Sequence, residues 1–264
     1  MRLPMEWLLA RITLLGIFLG FAGCHGDDIA AIDRDDDSGP ASDLVAWWKF
    51  EEGGGASVTD YSGFGNTAII QDGEWGDGRT GGGLLMDGGN NSILIVPLSE
   101  SLRSTAGEIT VMSWSFRTDE HNVAVIAHEY PTLFFGFHGP QFKWEVETES
   151  TLFIRVARRL GLSRPTGAAC YAGPSHRAVL DKWIHMAATY DGSRARLYVD
   201  GTEICNRRLA GAIRMPNEPF TISGYLNEAG EIIDEITGRL DDVRIYNRAL
   251  NETEIRSVYS DGME

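Results

Sequence analysis

The chain has 264 residues, of which 38 are acidic and 23 basic, and its formal net charge is −15 at pH 7. Removal of residues 1–23, which hold two arginines and one glutamate, leaves a net charge of −16. This charge argues against nucleic acids as partners and against electrostatic adhesion to anionic lipids, because both select basic protein surfaces.

The N-terminal residues 1–23 combine two arginines with an apolar run, 12–21, that ends in Ala22 and Gly23. A charged start, a short apolar centre and a small-residue end are typical of a secretory signal peptide, and the run is too short to span a bilayer. Cys24 follows directly. The sequence Phe-Ala-Gly-Cys resembles the lipobox of bacterial lipoproteins, which implies that Cys24 carries lipid; an ordinary cleaved signal peptide is the alternative. We expect an extracytoplasmic protein, lipid-anchored in the cell envelope at the outer membrane or cell surface.

Residues 24–42 contain six aspartates and a Gly-Pro-Ala-Ser end. Such a composition cannot bury a core, so we interpret 24–42 as an acidic disordered tether. The folded domain is then 43–264, whose short apolar runs are broken by turn signals. The runs 184–190 and 195–199 each place apolar side chains on alternate positions, with an Asp-Gly turn between them, as in an antiparallel β-hairpin. The one convincing helix covers 251–259 and begins with an Asn-x-x-Glu capping box.

Five segments carry a more specific resemblance. In chain order they read LVAWWKFEEG (44–53), DYSGFGN (60–66), GRTGGGLLMDG (78–88), WIHMAATYDGSRARLYVDG (183–201) and GRLDDVRIYNRALNETEI (238–255). In order and spacing they are similar to the laminin-G-like family of concanavalin A-type jelly rolls. The resemblance implies an all-β, concanavalin A-like jelly-roll sandwich of two antiparallel sheets with one short C-terminal helix. The family supplies binding modules for sugars and for proteins.

Oxygen-bearing side chains on the Gly-rich loop 60–66 suit calcium, which tolerates irregular geometry. Asp241 shares the strand parity of Val243 and Ile245, so we expect its carboxylate to face the core, where an unpaired charge is unfavourable. Calcium-binding members of the family place ions on such a loop and late-strand Asp, which implies Asp60, Asn66 and Asp241 as ligands of a structural calcium ion. The alternative is that Asp60 caps a turn and Asp241 accepts backbone hydrogen bonds.

Two cysteines remain besides Cys24, namely Cys170 and Cys205. In an oxidising compartment they are expected to pair as a disulfide.

Catalysis is the less favoured hypothesis. Glu145, Glu147 and Glu149 alternate along one strand face, and a pair of carboxylates could supply the acid and nucleophile of a glycoside hydrolase. The alternative is an exposed sheet face on which three carboxylates lie in water. Histidines 121, 128, 138, 176 and 185 form no short-spaced ligand pair, and no nucleophile turn is present.

Ring-bearing and basic residues offer two further candidate sites. Aromatic side chains that could stack on sugar rings are Tyr130, Phe135, Trp144 and Tyr171. Arginines that could bind an anionic sugar, or else neutralise nearby carboxylates, are Arg155, Arg158, Arg159, Arg164 and Arg177. We therefore predict a lipid-anchored module that binds carbohydrate, rather than an enzyme. A protein-interaction or structural surface domain is the alternative, and a glycoside hydrolase is the third hypothesis.

Overall fold

The fold is built almost entirely from short strands within the residues that the computed structural model describes. These are 43–89, 92–130, 132–148, 168–173, 175–227 and 229–261. The predicted signal peptide, Cys24 and the tether lie outside them.

The described residues form eighteen strands, two short α-helices and a 3-10 turn. The strands, numbered along the chain, are β1 (Leu44–Trp48), β2 (Ser57–Val58), β3 (Ala68–Ile70), β4 (Glu74–Asp77), β5 (Gly82–Asp87), β6 (Leu94–Val96), β7 (Ile109–Arg117), β8 (Val123–His128), β9 (Leu133–His138), β10 (Gln141–Val146), β11 (Ala168–Tyr171), β12 (Trp183–Tyr190), β13 (Arg194–Val199), β14 (Thr202–Arg208), β15 (Phe220–Ile222), β16 (Tyr225–Leu226), β17 (Ile232–Ile233) and β18 (Thr237–Tyr246). The helices are α1 (Glu100–Arg103) and α2 (Glu252–Asp261), and the 3-10 turn is Ser104–Ala106.

Two eight-stranded antiparallel sheets form the sandwich. Sheet A has the order β14-β13-β12-β7-β18-β5-β4, and β1 pairs with β18 beside this path. Sheet B has the order β11-β10-β9-β8-β15-β6-β3-β2, and β16 pairs with β17 as a separate hairpin. The predicted all-β jelly roll of two antiparallel sheets is confirmed.

The main core lies between the sheets because both inner faces are apolar. On β12, Ile184, Met186, Ala188 and Tyr190 point inward, as their alternation predicts. Trp144 of β10 meets them from sheet B, and its indole nitrogen donates to the backbone oxygen of Thr189 at 3.2 Å.

Helix α2 covers a second apolar cluster on the outer face of sheet A. Ile255 and Val258 pack there against Met112, Tyr198 and Tyr246. The capping box that begins the helix is present, because the backbone nitrogen of residue 254 donates to Asn251 Oδ1 at 3.0 Å and that of residue 251 donates to Glu254 Oε2 at 2.7 Å. No described helix is long and apolar enough to cross a membrane.

Helix α1 was not predicted. It is a single turn between β6 and β7, and the hydroxyl of Ser99 accepts from the backbone nitrogen of Leu102 at 3.2 Å. Its sequence has one buried apolar residue, Leu102, and so too little periodicity to indicate a helix.

The predicted disulfide between Cys170 and Cys205 is present, with the two Cα atoms 5.8 Å apart. It joins β11, at one edge of sheet B, to β14, at one edge of sheet A. The two sheets are therefore linked covalently at this side of the sandwich.

Candidate functional site

A cluster of aromatic rings around one lysine lies on the outer face of sheet B, the face turned away from sheet A. We call it the aromatic platform and define it as Tyr130, Phe134, Lys143, Tyr171 and Tyr225. Strand alternation places its members. Leu133, Phe135 and Phe137 of β9 enter the main core, so Phe134 points outward. Phe142, Trp144 and Val146 of β10 also enter the core, so Lys143 and Glu145 point outward.

Lys143 is the buried centre of the platform, with only 4% of its surface exposed. Its ammonium nitrogen lies 4.3 Å from the centroid of the Phe134 ring, 5.1 Å from that of Tyr130 and 5.8 Å from that of Tyr171. The nitrogen also forms an ion pair with Glu145 Oε2 at 2.8 Å. Burial disfavours the charge on Lys143, but the pair with Glu145 outweighs burial, so the pKa of Lys143 lies above its ordinary value. The lysine is thus a fixed cation that holds the rings.

Two tyrosines present ring surface to solvent at this place. Tyr130 is 38% exposed and Tyr171 is 40% exposed. Tyr130 stacks on Tyr225 with ring centroids 4.5 Å apart and meets the edge of Phe134 at 5.5 Å. Tyr171 lies opposite Lys143 in the β10–β11 register. These rings are fixed by packing against neighbouring side chains and expose part of their surface to solvent. Such rings suit stacking on an apolar ligand face, because little conformational entropy is lost on binding.

Two carboxylates, Glu145 and Asp234, lie beside the platform. Asp234 follows the hairpin β16–β17 in a left-handed backbone conformation (φ 57°) and is partly buried. Burial raises the pKa of Asp234, although Lys143 and His138 oppose this effect. Burial and the proximity of Asp234 also raise the pKa of the Tyr225 hydroxyl. Glu145 and Asp234 are therefore acceptors beside exposed tyrosine rings.

The hairpin β16–β17 separates the platform from a groove of mixed polar and apolar lining on the same face of sheet B. Tyr225 and Ile233 pack against Phe134 on the platform side. On the other side, a groove of about 570 Å³ is lined by Gln71, Ile95, Leu226, Gly230, Glu231, Ile232 and Ile233.

Only two of the four predicted stacking residues belong to the platform. Tyr130 and Tyr171 do, but the prediction is wrong for Phe135 and Trp144, which are fully buried between the sheets. In the apolar run of β9 the sequence does not distinguish the inward from the outward rings. Lys143 could have been found from its position between two apolar neighbours of a strand, and Tyr225 and Asp234 carry no such signal.

The alternating glutamates form no open pair of carboxylates among the described residues. Glu145 is engaged by Lys143. Glu147 lies beyond the end of β10 and is only 5% exposed, so the expectation of a fully solvated glutamate face is wrong at this position. Glu149 lies outside the described residues.

Asp60 and Asn66 are brought together, and their polar atoms are engaged within the protein. Asp60 Oδ1 accepts from the backbone nitrogens of Trp47 and Ser62, at 2.9 and 2.8 Å. Asp60 Oδ2 accepts from the Ser62 hydroxyl and the Asn66 backbone nitrogen, both at 2.8 Å. Asn66 Oδ1 accepts from the hydroxyl of Ser99 at 2.6 Å. Four donors fill the acceptor positions of Asp60, so these residues do not fit a calcium ion and match the turn-capping alternative.

Asp241 is buried, but the prediction that it faces the core is wrong. A β-bulge lies between Asp241 and Arg244, where Asp242 adopts φ 49°, and the extra residue reverses the alternation. Leu240 and Val243 therefore enter the core. Asp241 instead pairs in register with Trp114, whose ring contacts Tyr259 of α2 on the outer face of sheet A.

Asp241 Oδ2 accepts from the backbone nitrogens of Arg79 and Thr80, at 2.7 and 3.1 Å. Burial raises the pKa of Asp241 to about 7, against the opposing effect of these hydrogen bonds. The carboxyl group lines a pocket of about 180 Å³ with Trp47 and Trp114. Within the described residues, no group of three or more His, Cys, Asp or Glu side chains is placed to hold a metal ion. Asp241 thus fastens the Gly-rich turn at 78–83 to the sheet.

Two histidines are buried and electrically neutral at physiological pH. His185, which lies against Trp114 beneath α2, has its pKa lowered to about 3 by burial. His128 stacks on Phe220, and burial lowers its pKa to about 4. Of the five candidate anion-binding arginines, the structure describes Arg177, which is exposed beside Gln141. The others lie outside the described residues.

The fold and the platform define a jelly-roll domain with an aromatic, part-open surface on one sheet face. Residues 87–256 match the Laminin_G_3 family model, described as the concanavalin A-like lectin/glucanases superfamily. The chain belongs to this family. No curated protein matches the sequence.

Similar folds occur in solved binding domains. The binding domain of Paraclostridial Mosquitocidal Protein 1 is 17% identical with a TM-score of 0.64, over 84% of this chain and 52% of that one. The botulinum neurotoxin serotype D ligand binding domain, in complex with N-acetylneuraminic acid, is 12% identical with a TM-score of 0.61, over 84% and 51% of the two chains. The present chain thus spans about half the length of these two proteins.

A third structure is covered almost completely. Domain 4 of AbnA, an extracellular GH43 arabinanase from Geobacillus stearothermophilus, in complex with arabinotriose, is 14% identical with a TM-score of 0.58. The likeness covers 82% of this chain and 98% of that one. At these identities the three likenesses establish the fold.

Proposed function

We propose that this protein is an extracytoplasmic, lipid-anchored module that binds carbohydrate through the aromatic platform. The observation that carries the proposal is the pair of part-exposed rings, Tyr130 and Tyr171, whose centroids lie 5.1 and 5.8 Å from the ammonium nitrogen of a buried lysine. Sugar sites combine aromatic surface, which covers the C–H face of a ring, with a few fixed polar groups, which orient its hydroxyls. Glu145 and Asp234 supply such acceptors.

Binding rather than catalysis accounts best for the carboxylates. A retaining glycosidase needs two carboxyl groups about 5–5.5 Å apart, one of them free to act as nucleophile. Glu145 is held by Lys143, and Glu147 is buried beyond the strand end. The arabinotriose complex of the AbnA domain supports the proposal by analogy of fold, since that domain is similar over nearly its full length.

Binding of a panel of neutral oligosaccharides to the purified protein tests the proposal. Tyr130→Ala and Tyr171→Ala should each weaken binding by about fivefold, because each removes one stacking surface worth about 1 kcal/mol. Tyr61→Ala is the matched control, since Tyr61 is an exposed tyrosine, 46% accessible, that lies outside the platform. Equal affinity of all three variants and the native protein would contradict the site.

The lipid anchor is tested separately. Metabolic fatty-acid label should enter the protein through Cys24, and Cys24→Ser should abolish the labelling. Unchanged labelling of that variant would contradict the anchor without affecting the sugar site.

A protein-interaction domain is the second candidate, and the part-exposed aliphatic side chains in the groove beside the hairpin favour it. Ile95, Leu226 and Ile232 line this groove, and Leu226 is 37% exposed. Leu226→Asp should abolish binding of a protein partner and leave oligosaccharide binding unchanged, so the two functions are separable.

A further inference from the structure

The charges at the platform restrict which sugars it accepts. The described charged groups there are Lys143, Glu145 and Asp234. At the rim lie His138 and the ion pair of Arg214 with Glu129, the chain neighbour of Tyr130. Lys143 and Glu145 neutralise each other across 2.8 Å. Asp234 forms no ion pair with the described residues and adds one negative charge when it is ionised.

The buried lysine is not available to an anionic ligand. Its surface is 4% exposed, its nitrogen is paired with Glu145, and the rings of Phe134 and Tyr130 lie over it. A carboxylate or sulfate group that replaced Glu145 would have to displace a charge-assisted bond and enter a covered position. An acidic sugar would instead meet the carboxylates of Glu145 and Asp234.

We infer that the platform binds uncharged or amine-bearing sugars and discriminates against carboxylated and sulfated ones. This inference rests on the proposed function, and it narrows the class of ligand. The net charge of the whole chain, −15, acts in the same direction, because it lowers the local concentration of anions.

The described basic groups that an acidic sugar could still reach lie at the rim. Arg214 is one of them, and it is already paired with Glu129. His138 meets the edge of Tyr171 at 6.1 Å, and Arg177 is exposed beside Gln141, which pairs with His138. Arg177→Ala therefore distinguishes discrimination against acidic sugars at the platform from binding of anions at the rim.

The test uses one neutral oligosaccharide that binds the purified protein, before and after oxidation of its primary hydroxyls to carboxylates. Oxidation should weaken binding by about fivefold or more, since one repulsive charge pair at contact distance in water has that effect. Asp234→Asn should reduce the difference in affinity between the neutral and the oxidised oligosaccharide. Asn tolerates the left-handed backbone at this position, so the variant should fold. The difference should also shrink at high salt.

Each outcome has one meaning. Equal or tighter binding of the oxidised sugar to the native protein would overturn the inference and leave the proposed carbohydrate binding intact. If the oxidised sugar binds more tightly to the native protein but not to Arg177→Ala, the anion is bound at the rim. Failure of every oligosaccharide to bind would overturn the proposed function, and the inference with it.

Discussion

The ammonium nitrogen of Lys143 and the carboxylate of Glu145 lie 2.8 Å apart on the outer face of sheet B, two residues from each other on the same strand. The lysine is almost fully buried beneath aromatic rings, whereas the side chain of Glu145 remains 21% exposed. Removal of the glutamate alone should be destabilising, because it leaves a buried and uncompensated cation.

Glu145→Gln should therefore lower the free energy of unfolding by about 2 kcal/mol, less than the 3–5 kcal/mol of a fully buried pair because Glu145 is partly solvated. Urea unfolding measures this loss. The double variant Lys143→Met/Glu145→Gln should recover part of it, since no unpaired charge stays buried. A double variant no more stable than Glu145→Gln would indicate that the pair does not organise the platform.

The pH dependence of stability should carry the signature of Asp241. Its pKa is about 7 in the folded protein, well above the ordinary aspartate value, so between pH 4 and 7 the folded state binds more protons than the unfolded state. This group thus contributes stability at low pH that is lost as the pH rises through 7, by about 3–4 kcal/mol in total.

Asp241→Asn removes this titration and keeps an acceptor for the 79–80 turn. Its stability relative to the native protein should rise between pH 5 and pH 8. The comparison with the variant is needed because two histidines have an opposing effect. His128 and His185 have lowered pKa values, so they reduce the stability of the fold as the pH falls below about 6.5, where Asp241 increases it. Asp72→Asn, at an exposed position, controls for the loss of one charge. A constant difference between Asp241→Asn and the native protein would disprove the raised pKa.

Calcium should not stabilise this domain. An ion that bound only the folded state would add about 2.7 kcal/mol at a hundredfold excess over its dissociation constant. The hydrogen bonds of Asp60 and Asn66 leave no such site at these residues, and the described part of the domain holds no other cluster of metal ligands. We therefore expect melting of metal-stripped protein to be the same with chelator and with calcium. A melting temperature that fell in chelator and recovered with calcium would restore the calcium prediction made from the sequence.

The disulfide between Cys170 and Cys205 should contribute about 3–4 kcal/mol in the chain-entropy model, given the 35 residues that separate the cysteines. Cys205→Ser should therefore unfold at lower urea concentration than the native protein. It should also weaken oligosaccharide binding, because Tyr171 adjoins Cys170 on the edge strand β11. Reductant should reproduce both effects in the native protein and change neither in the variant. Alkylation of both thiols in protein purified without reductant would refute the bridge.

The sequence was sufficient for the sandwich through its resemblance to the laminin-G-like family, and for the C-terminal helix through its capping box. The disulfide was predicted from the expectation of an oxidising compartment. The candidate site was predicted in part. Tyr130 and Tyr171 were identified, but Phe135 and Trp144 were not distinguished from outward rings, because in an apolar strand both faces look alike. The orientation of Asp241 depends on the bulge at Asp242, which alternation cannot reveal. The contribution of Tyr225 and Asp234 arises from a hairpin that packs back across the sheet, a tertiary contact without a local signal.

The most direct test of the central claim is the mapping of backbone amide chemical shifts during titration with an oligosaccharide that binds. We expect the largest changes at Tyr130, Phe134, Lys143 and Tyr171, and their loss in Tyr171→Ala but not in Tyr61→Ala. Changes concentrated at the pocket of Trp47 and Trp114, or at the groove of Ile95 and Leu226, would contradict the assignment of the binding site to the aromatic platform.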